Sequence, residues 1–172
     1  MSDLSTPPGV AEVYGDTLRA SAIATARQAK ALTPAQRSAL TRDVERMFDF
    51  ATERAFGPRI NVKVLKAGCA ARDNNVSSRF KIEVGVYVVD YIAALRTDAA
   101  RWLLTMTSWP IATVAYAVGY EYLQTFYKDF RRNAACTPGA YRQRFKAQAV
   151  VAANGSAMGA LNGAPHAAVP DD

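Results

Sequence analysis

Residues that hold metals or close disulfides are nearly missing from this chain, which has two cysteines, Cys69 and Cys136, and one histidine, His166. Zinc needs a tetrahedral set drawn largely from Cys and His, so neither a zinc site nor a disulfide framework can be assembled. The two thiols are expected to be buried, and no cofactor is expected. Long hydrophobic runs are also lacking. No apolar stretch approaches the roughly 20 residues that span a bilayer, and MSDLSTPPG has neither the charged nor the apolar region of a signal peptide. The cytoplasm is therefore the expected location. The acids are scattered, His166 lies near the end and no glycine-rich phosphate loop occurs, so no constellation supports an enzyme. No segment alternates long enough to make a strand. VGVYVVDYI comes nearest, but Tyr91, Leu95 and Leu103-Leu104 continue it at helical spacing, so it reads as helix.

Apolar residues and basic charge are plentiful. Half of the 172 residues are hydrophobic and 21% are charged, which suits an all-α soluble domain of ordinary size. The net charge of +6 is unevenly spread. Residues 61–146 carry 13 Lys and Arg against 6 Asp and Glu, residues 1–60 carry 8 against 7, and residues 147–172 carry none against 2. The excess in the middle segment favours an anionic partner there.

Residues 1–32 read as an N-terminal extension. Its segment GVAEVYGDTLRASAIATARQAKAL has a helical stripe of Val10, Val13, Tyr14 and Leu18 that dissolves into alanines. A firmer helix starts at Thr33, with Pro34 at its first position and Gln36 completing a capping box. From there Leu40, Val44, Met47, Phe48 and Ala51 share a face until Gly57-Pro58. Shorter helices are predicted over about 62–69, 73–84, 110–117 and 121–133, with a longer one over about 88–105. A last helix is capped by Thr137 with Pro138 at its first position. Residues 147–172 hold small residues, Gly and Pro but no large apolar set, and read as a disordered tail.

A repeat lies within these helices. Val76, Phe80, Gly85 and Tyr91 are spaced like Phe126, Phe130, Ala135 and Tyr141, with an offset of 50 residues. Each copy holds a short helix, a tight connection and a second helix of about a dozen residues, the anatomy of a helix-turn-helix. In the second copy Gly119 stands where the turn needs positive φ, and Ala70 takes that place in the first.

The repeat separates rings from charges. At 100° per residue Tyr122, Phe126 and Phe130 fall within about 80° of one another, and Gln124, Lys128 and Arg131 lie opposite. The rings are expected to face the core. In the first copy Asn74, Ser78 and Lys81 lie opposite Val76 and Phe80. An amide such as Asn74 or Gln124 can bond adenine in bidentate fashion, Lys128 suits guanine or phosphate, and Lys81 and Arg131 suit phosphate. A helix over 88–105 is about 27 Å long, and major-groove faces on one side of B-DNA recur about every 34 Å. The spacer could thus set two recognition helices in adjacent grooves, and because the copies differ, a monomer should prefer an asymmetric site.

The stretch IATVAYAVGYEYLQTFYKDFRRNAACTPGAYR, from Ile111 to Arg142, resembles the signature region of the AraC/XylS family of bacterial transcription regulators. Val114-Ala115, Gly119-Tyr120, Phe126, Phe130, Pro138 and Tyr141-Arg142 fall on its pattern. GVYVVDYIAALRTDAARWLL is similar to the family's linker helix, and the likeness runs from about Arg42 to Lys146. It implies two helix-turn-helix subdomains of homeodomain-like three-helix form: a first unit over about 33–87, a linker helix over about 88–105 and a second unit over about 106–146. The helix from Glu121 to Arg132 would enter a major groove, with Gln124, Thr125 and Lys128 reading bases and Arg131 and Arg132 beside them. The helix from Asp73 to Val84 would do likewise through Asn74, Ser77 and Ser78, with Lys81 on phosphate.

Departures concentrate in the first unit. Arg72 replaces a small cap residue, Ser78 the usual arginine reader and Lys66 a small packed residue, so this unit is expected either to favour backbone contacts over readout or to dock poorly. In the second unit Ala134-Ala135 replaces an aromatic-glycine pair. The resemblance implies a minimal, sequence-specific regulator without a separate effector domain. Double-stranded DNA is its expected partner, RNA polymerase its second if it activates, and the nucleoid its place in the cell. The rivals are a protein-interaction module that antagonises another regulator and a general chromosome-associated protein.

Overall fold

The computed structural model describes residues 8–57, 59–70 and 75–148, which form helices and connecting turns with no strand among them. In order these are α1 (Pro8–Ala29), α2 (Pro34–Ser38), α3 (Arg42–Arg54), α4 (Val62–Gly68), α5 (Val76–Val84), α6 (Val88–Met106), α7 (Ile111–Ala117), α8 (Leu123–Ala134) and α9 (138–148). The fold is all-α as expected, and VVDYI opens α6. Of the tail expected over 147–172, residues 147 and 148 belong to α9, and the rest, like Arg72, Asp73 and Asn74, lies outside the described residues.

Helices α3, α4 and α5 pack on one another as a first three-helix unit, and α7 and α8 pack on α6 as a second. The linker therefore doubles as the first helix of the second unit. The repeat appears in the cores as one ring pair used twice. Phe80 meets Tyr91 at 6.0 Å between centroids, and Phe130 meets Tyr141 at 5.8 Å. Phe48 stacks on the first pair and Phe126 joins the second. Burying such rings is the main source of stability for small helical units.

The same correspondence holds in the backbone. Ala70 and Gly119 both have positive φ, +48° and +94°, one residue past the caps of α4 and α7. Gly85 and Ala135, also 50 residues apart, cap α5 and α8 in the left-handed region at +89° and +55°. Gly119 has a second reason to be glycine, because an added Cβ would lie 2.8 Å from the carbonyl oxygen of Phe56.

Three expectations need correction. Of the two thiols expected to be buried, Cys69 is, whereas Cys136 is only partly covered. The capping box at Thr33 forms with Gln36, but the helix it starts ends at Ser38. A new helix begins after Thr41, because the Glu83 carboxylate of α5 accepts from the Thr41 amide at 2.8 Å and from its hydroxyl at 3.0 Å. That carboxylate caps α3 from a distant element and fixes a break that local periodicity does not register. Tyr122 was expected in the core with Phe126 and Phe130, yet it is 67% exposed. It stands before the first turn of α8 with extended φ and ψ, where helical spacing does not apply.

Helix α1 packs along α6, burying Ala22 and Ala26 with Leu18 and Ile23 half covered. Its alanines are the contact surface, since small side chains let two helix axes approach closely.

Candidate nucleic-acid interface

Phe126 and Phe130 fix the rotation of α8 by filling the core, with exposures of 1% and 0%. The opposite face then carries Gln124, Lys128 and Arg131, all exposed, at i, i+4 and i+7. With Leu123, Tyr127 and Arg132 they line an open groove of about 710 Å³. The structure brings together Gln124, Lys128, Arg131 and Arg132 of the expected set. Thr125 is also exposed but borders a different crevice, of about 150 Å³, with Arg96, Tyr120 and Asp129. Tyr127 was missed, because sequence logic assigns aromatic rings to the core. Its place three residues after Gln124 and next to Lys128 was the available signal.

Arg132 sits differently from Arg131. Its guanidinium pairs with Asp90 of α6 at 2.9 Å and with Asp129 at 3.3 Å. It ties α8 to the linker, whereas Lys128 and Arg131 form no ion pair within the described residues.

The α5 side is less open. Ser78 and Lys81 are exposed. The Lys81 ammonium donates to the Tyr87 hydroxyl at 2.9 Å and lies 4.2 Å from the centre of that ring. Ser77 is half-buried, and its Oγ is enclosed without a hydrogen-bond partner among the described residues. Asn74 lies outside the described residues.

Arg96 of α6 joins the two units. It is 9% exposed and donates from Nε to the Ala55 carbonyl at 2.6 Å and from Nη2 to the Gly57 carbonyl at 2.8 Å, beyond the end of α3. Its guanidinium lies 5.0 Å from the centre of the Tyr120 ring. Carbonyl dipoles at a helix C-terminus and the face of a ring together compensate a buried cation, although burial still pulls its pKa below the usual arginine value. Tyr120 in turn donates to Asp129 of α8 at 3.2 Å. Burial first and the Asp129 charge second push its phenol well above the ordinary range. One chain of contacts thus runs from the end of α3 through the linker to α8.

Arginines play this structural part repeatedly. Arg101 donates to the Asn133 carbonyl near the end of α8, and Arg142 of α9 donates to the carbonyls of Leu104 and Trp109. Part of the basic excess counted along residues 61–146 therefore serves helix ends, and Lys128, Arg131 and Lys81 are among the cations left outward. No described helix is long and apolar enough to cross a membrane.

A family model described as a helix-turn-helix domain matches residues 70–144. The chain is 31% identical over 88 residues to the uncharacterized HTH-type transcriptional regulator YdiP of Escherichia coli, an alignment covering 51% of this chain and 29% of that protein. It is 38% identical over 69 residues to the xylose operon regulatory protein of Escherichia coli, covering 40% of this chain and 18% of the other. The chain thus spans under a third of the length of either relative. Among solved structures it resembles the C-terminal domain of AraT, a response regulator from Geobacillus stearothermophilus, with a TM-score of 0.57 and 22% identity over 61% of this chain and 87% of the other. The C-terminal domain of the two-component response regulator yesN from Fusobacterium nucleatum gives 0.54 and 24% over 59% and 99%. Those structures share the fold, and the family model spans the region that holds Gly119, Phe126, Phe130 and Tyr141. Across residues 70–144 the chain thus matches a helix-turn-helix domain, and there it resembles transcription regulators of the AraC/XylS family.

Proposed function

We propose that this chain regulates transcription by binding double-stranded DNA sequence-specifically, with α8 as its principal reading helix. The observation that carries this is the outward stripe of Gln124, Lys128 and Arg131 on a helix whose rotation is locked by Phe126 and Phe130. Gln124 offers the bidentate amide pattern that suits adenine, Lys128 a donor for guanine, and Arg131 a phosphate contact. Thr125 and Tyr127 flank this stripe, Thr125 on the side of the linker. Arg132 acts by holding α8 to α6 more than by touching DNA.

The first unit adds phosphate contacts through Lys81 and a weaker reading surface through Ser78 and Asn74. Ser77 does not read bases in this scheme, since its hydroxyl is enclosed. The second unit thus dominates specificity, and α6, about 28 Å long, holds the first close to the neighbouring groove. Two unlike units on one chain favour an asymmetric site bound by a monomer.

Selection of bound duplexes from a random pool tests this, followed by titration of two variants. Lys128→Ala should weaken binding and relax preference at one or two base pairs, costing about 1–3 kcal/mol at those positions. Arg131→Ala should weaken all sequences alike and reduce the salt slope by about 1. Equal affinity for every sequence at matched salt would refute sequence-specific regulation and favour a general chromosome-binding role. Sequence-independent losses from both variants would remove Lys128 from base reading.

A further inference from the structure

Helix α1 bridges the two units as well as the linker. Arg19 donates from Nε to the carbonyl of Ala117, the last residue of α7 in the second unit, at 2.6 Å. The same guanidinium reaches the Phe56 carbonyl, just past the end of α3 in the first unit, at 3.5 Å from Nη2. Two turns on, Arg27 donates to the Thr52 carbonyl at 3.2 Å and to the Glu53 carbonyl at 2.8 Å, and lies 5.8 Å from the centre of the Phe56 ring. Lys30 closes the series on Asp98 of α6 at 3.5 Å. All four accepting carbonyls lie at helix C-terminal ends, where unpaired acceptors and the negative end of the helix dipole favour a cation.

We propose that α1 is an internal brace that sets the separation and twist at which the two helix-turn-helix units meet DNA, with Arg19 as its positioning residue. Apart from α1, the units are joined by α6, the Arg96 contacts, the approach of Gly119 to Phe56 and the pair of Arg59 with Glu121 at 3.4 Å. The chain itself joins the units at the turn over residues 85–87, about which the first could rock against the linker. A helix bonded to the ends of α3 and α7 opposes that rocking. Its effect on DNA is on spacing, because Arg19 is half-buried against carbonyls on the inner side of α1 and reads no base itself. This role rests on the proposal that both units engage one duplex.

Two measurements separate the brace from that proposal. The first needs no DNA. Spin labels at Lys63→Cys and Gln143→Cys, one exposed site in each unit, are placed in a background with Cys69→Ala and Cys136→Ala. Arg19→Ala and Arg27→Ala together should at least double the width of the inter-label distance distribution at unchanged helix content, and Arg19→Ala alone should broaden it less. An unchanged width in a folded variant overturns the brace. If the double variant unfolds, the Arg19→Ala comparison decides in the same way, and Arg19→Lys should restore part of the narrow distribution.

The second measurement uses duplexes selected by the unaltered protein, with two base pairs inserted between the segments that the two units protect. That insertion moves one segment by about 7 Å and about 70° relative to the other. The unaltered chain should lose at least tenfold in affinity, and Arg19→Ala, starting weaker, about threefold or less. An equal loss in both overturns the brace. A protein indifferent to the insertion, yet weakened by Lys128→Ala, overturns the two-unit reading and the spacing role with it; the label distances alone then decide the brace.

Discussion

Replacing Gly119 with alanine should cost far more than replacing Gly85, although their backbones are nearly alike. Gly85 has a φ of +89° and Gly119 of +94°, so alanine meets the left-handed penalty at both sites, about 1–2 kcal/mol. Restricting the unfolded chain returns about 0.4–1 kcal/mol in each case. Around Gly85 no atom lies within 4 Å of an added Cβ, so Gly85→Ala should destabilise by about 1 kcal/mol. At Gly119 the new methyl would sit 2.8 Å from the Phe56 oxygen, 2.9 Å from its carbon and 3.2 Å from Nη2 of Arg96. These neighbours cannot swing aside, because the Phe56 carbonyl is main chain and Arg96 is held by Ala55 and Gly57. Shifting them by several tenths of an ångström resembles overpacking a core, which costs about 1–3 kcal/mol more. The total of about 2–4 kcal/mol is a large share of the 5–15 kcal/mol that holds a domain folded. Urea unfolding followed by far-UV circular dichroism gives both values from midpoints at a shared slope. Losses equal within about 0.5 kcal/mol would refute the idea that contact with Phe56, rather than φ alone, demands glycine at 119.

Ala135→Gly should stabilise the protein by up to about 1 kcal/mol, since Ala135 caps α8 at a φ of +55°, a conformation glycine adopts without steric cost; a lower urea midpoint would contradict this. Tyr120 makes stability fall at high pH. Its folded pKa is raised above the unfolded value of about 10, so the stability it contributes is complete below about pH 10 and is lost above it, by up to about 1.4 kcal/mol per pH unit. Tyr91, also raised by burial, acts with the same sign. Unfolding of Tyr120→Phe at pH 9 to 11 should show a shallower decline than the parent, and an identical decline would exclude Tyr120 as a source. Arg132→Ala should reduce DNA affinity less than Arg131→Ala, because its partners are Asp90 and Asp129. The exposed pairs it loses are worth under about 1 kcal/mol of stability, and a binding loss larger than that of Arg131→Ala would return it to the DNA surface.

The helices were legible where side chains of one kind recur, as with Val44, Met47, Phe48 and Ala51 on α3 or Phe126 and Phe130 on α8. The repeat was legible for the same reason, and it anticipated the positive φ at Ala70 and Gly119, whereas the pairing of its matched rings, Phe80 with Tyr91 and Phe130 with Tyr141, emerges only in the fold. Features that depend on distant partners were not. Glu83 divides α2 from α3 from 42 residues away. Alanines such as Ala22 and Ala26 carry too little hydrophobicity to mark the buried side of α1. Arginines directed at main-chain carbonyls look, in a sequence, the same as arginines free to meet phosphate. Tyr122 misled in a related way, since a ring at helical spacing from Phe126 and Phe130 reads as core even where the helix has not begun.

The alanine seam between α1 and α6 makes mutation there a matter of volume and direction. Ala22 and Ala26 are already among the smallest side chains and have no accessible surface to spare. Every replacement except glycine enlarges them. Serine would test the seam gently; valine or threonine would act as a wedge, prising one helix from the other rather than leaving a void. Such a wedge touches none of the outward residues of α8, yet through Arg19 and Arg27 it would tilt one unit against the other. The most consequential altered-function substitutions in this chain can therefore arise at its least conspicuous residues.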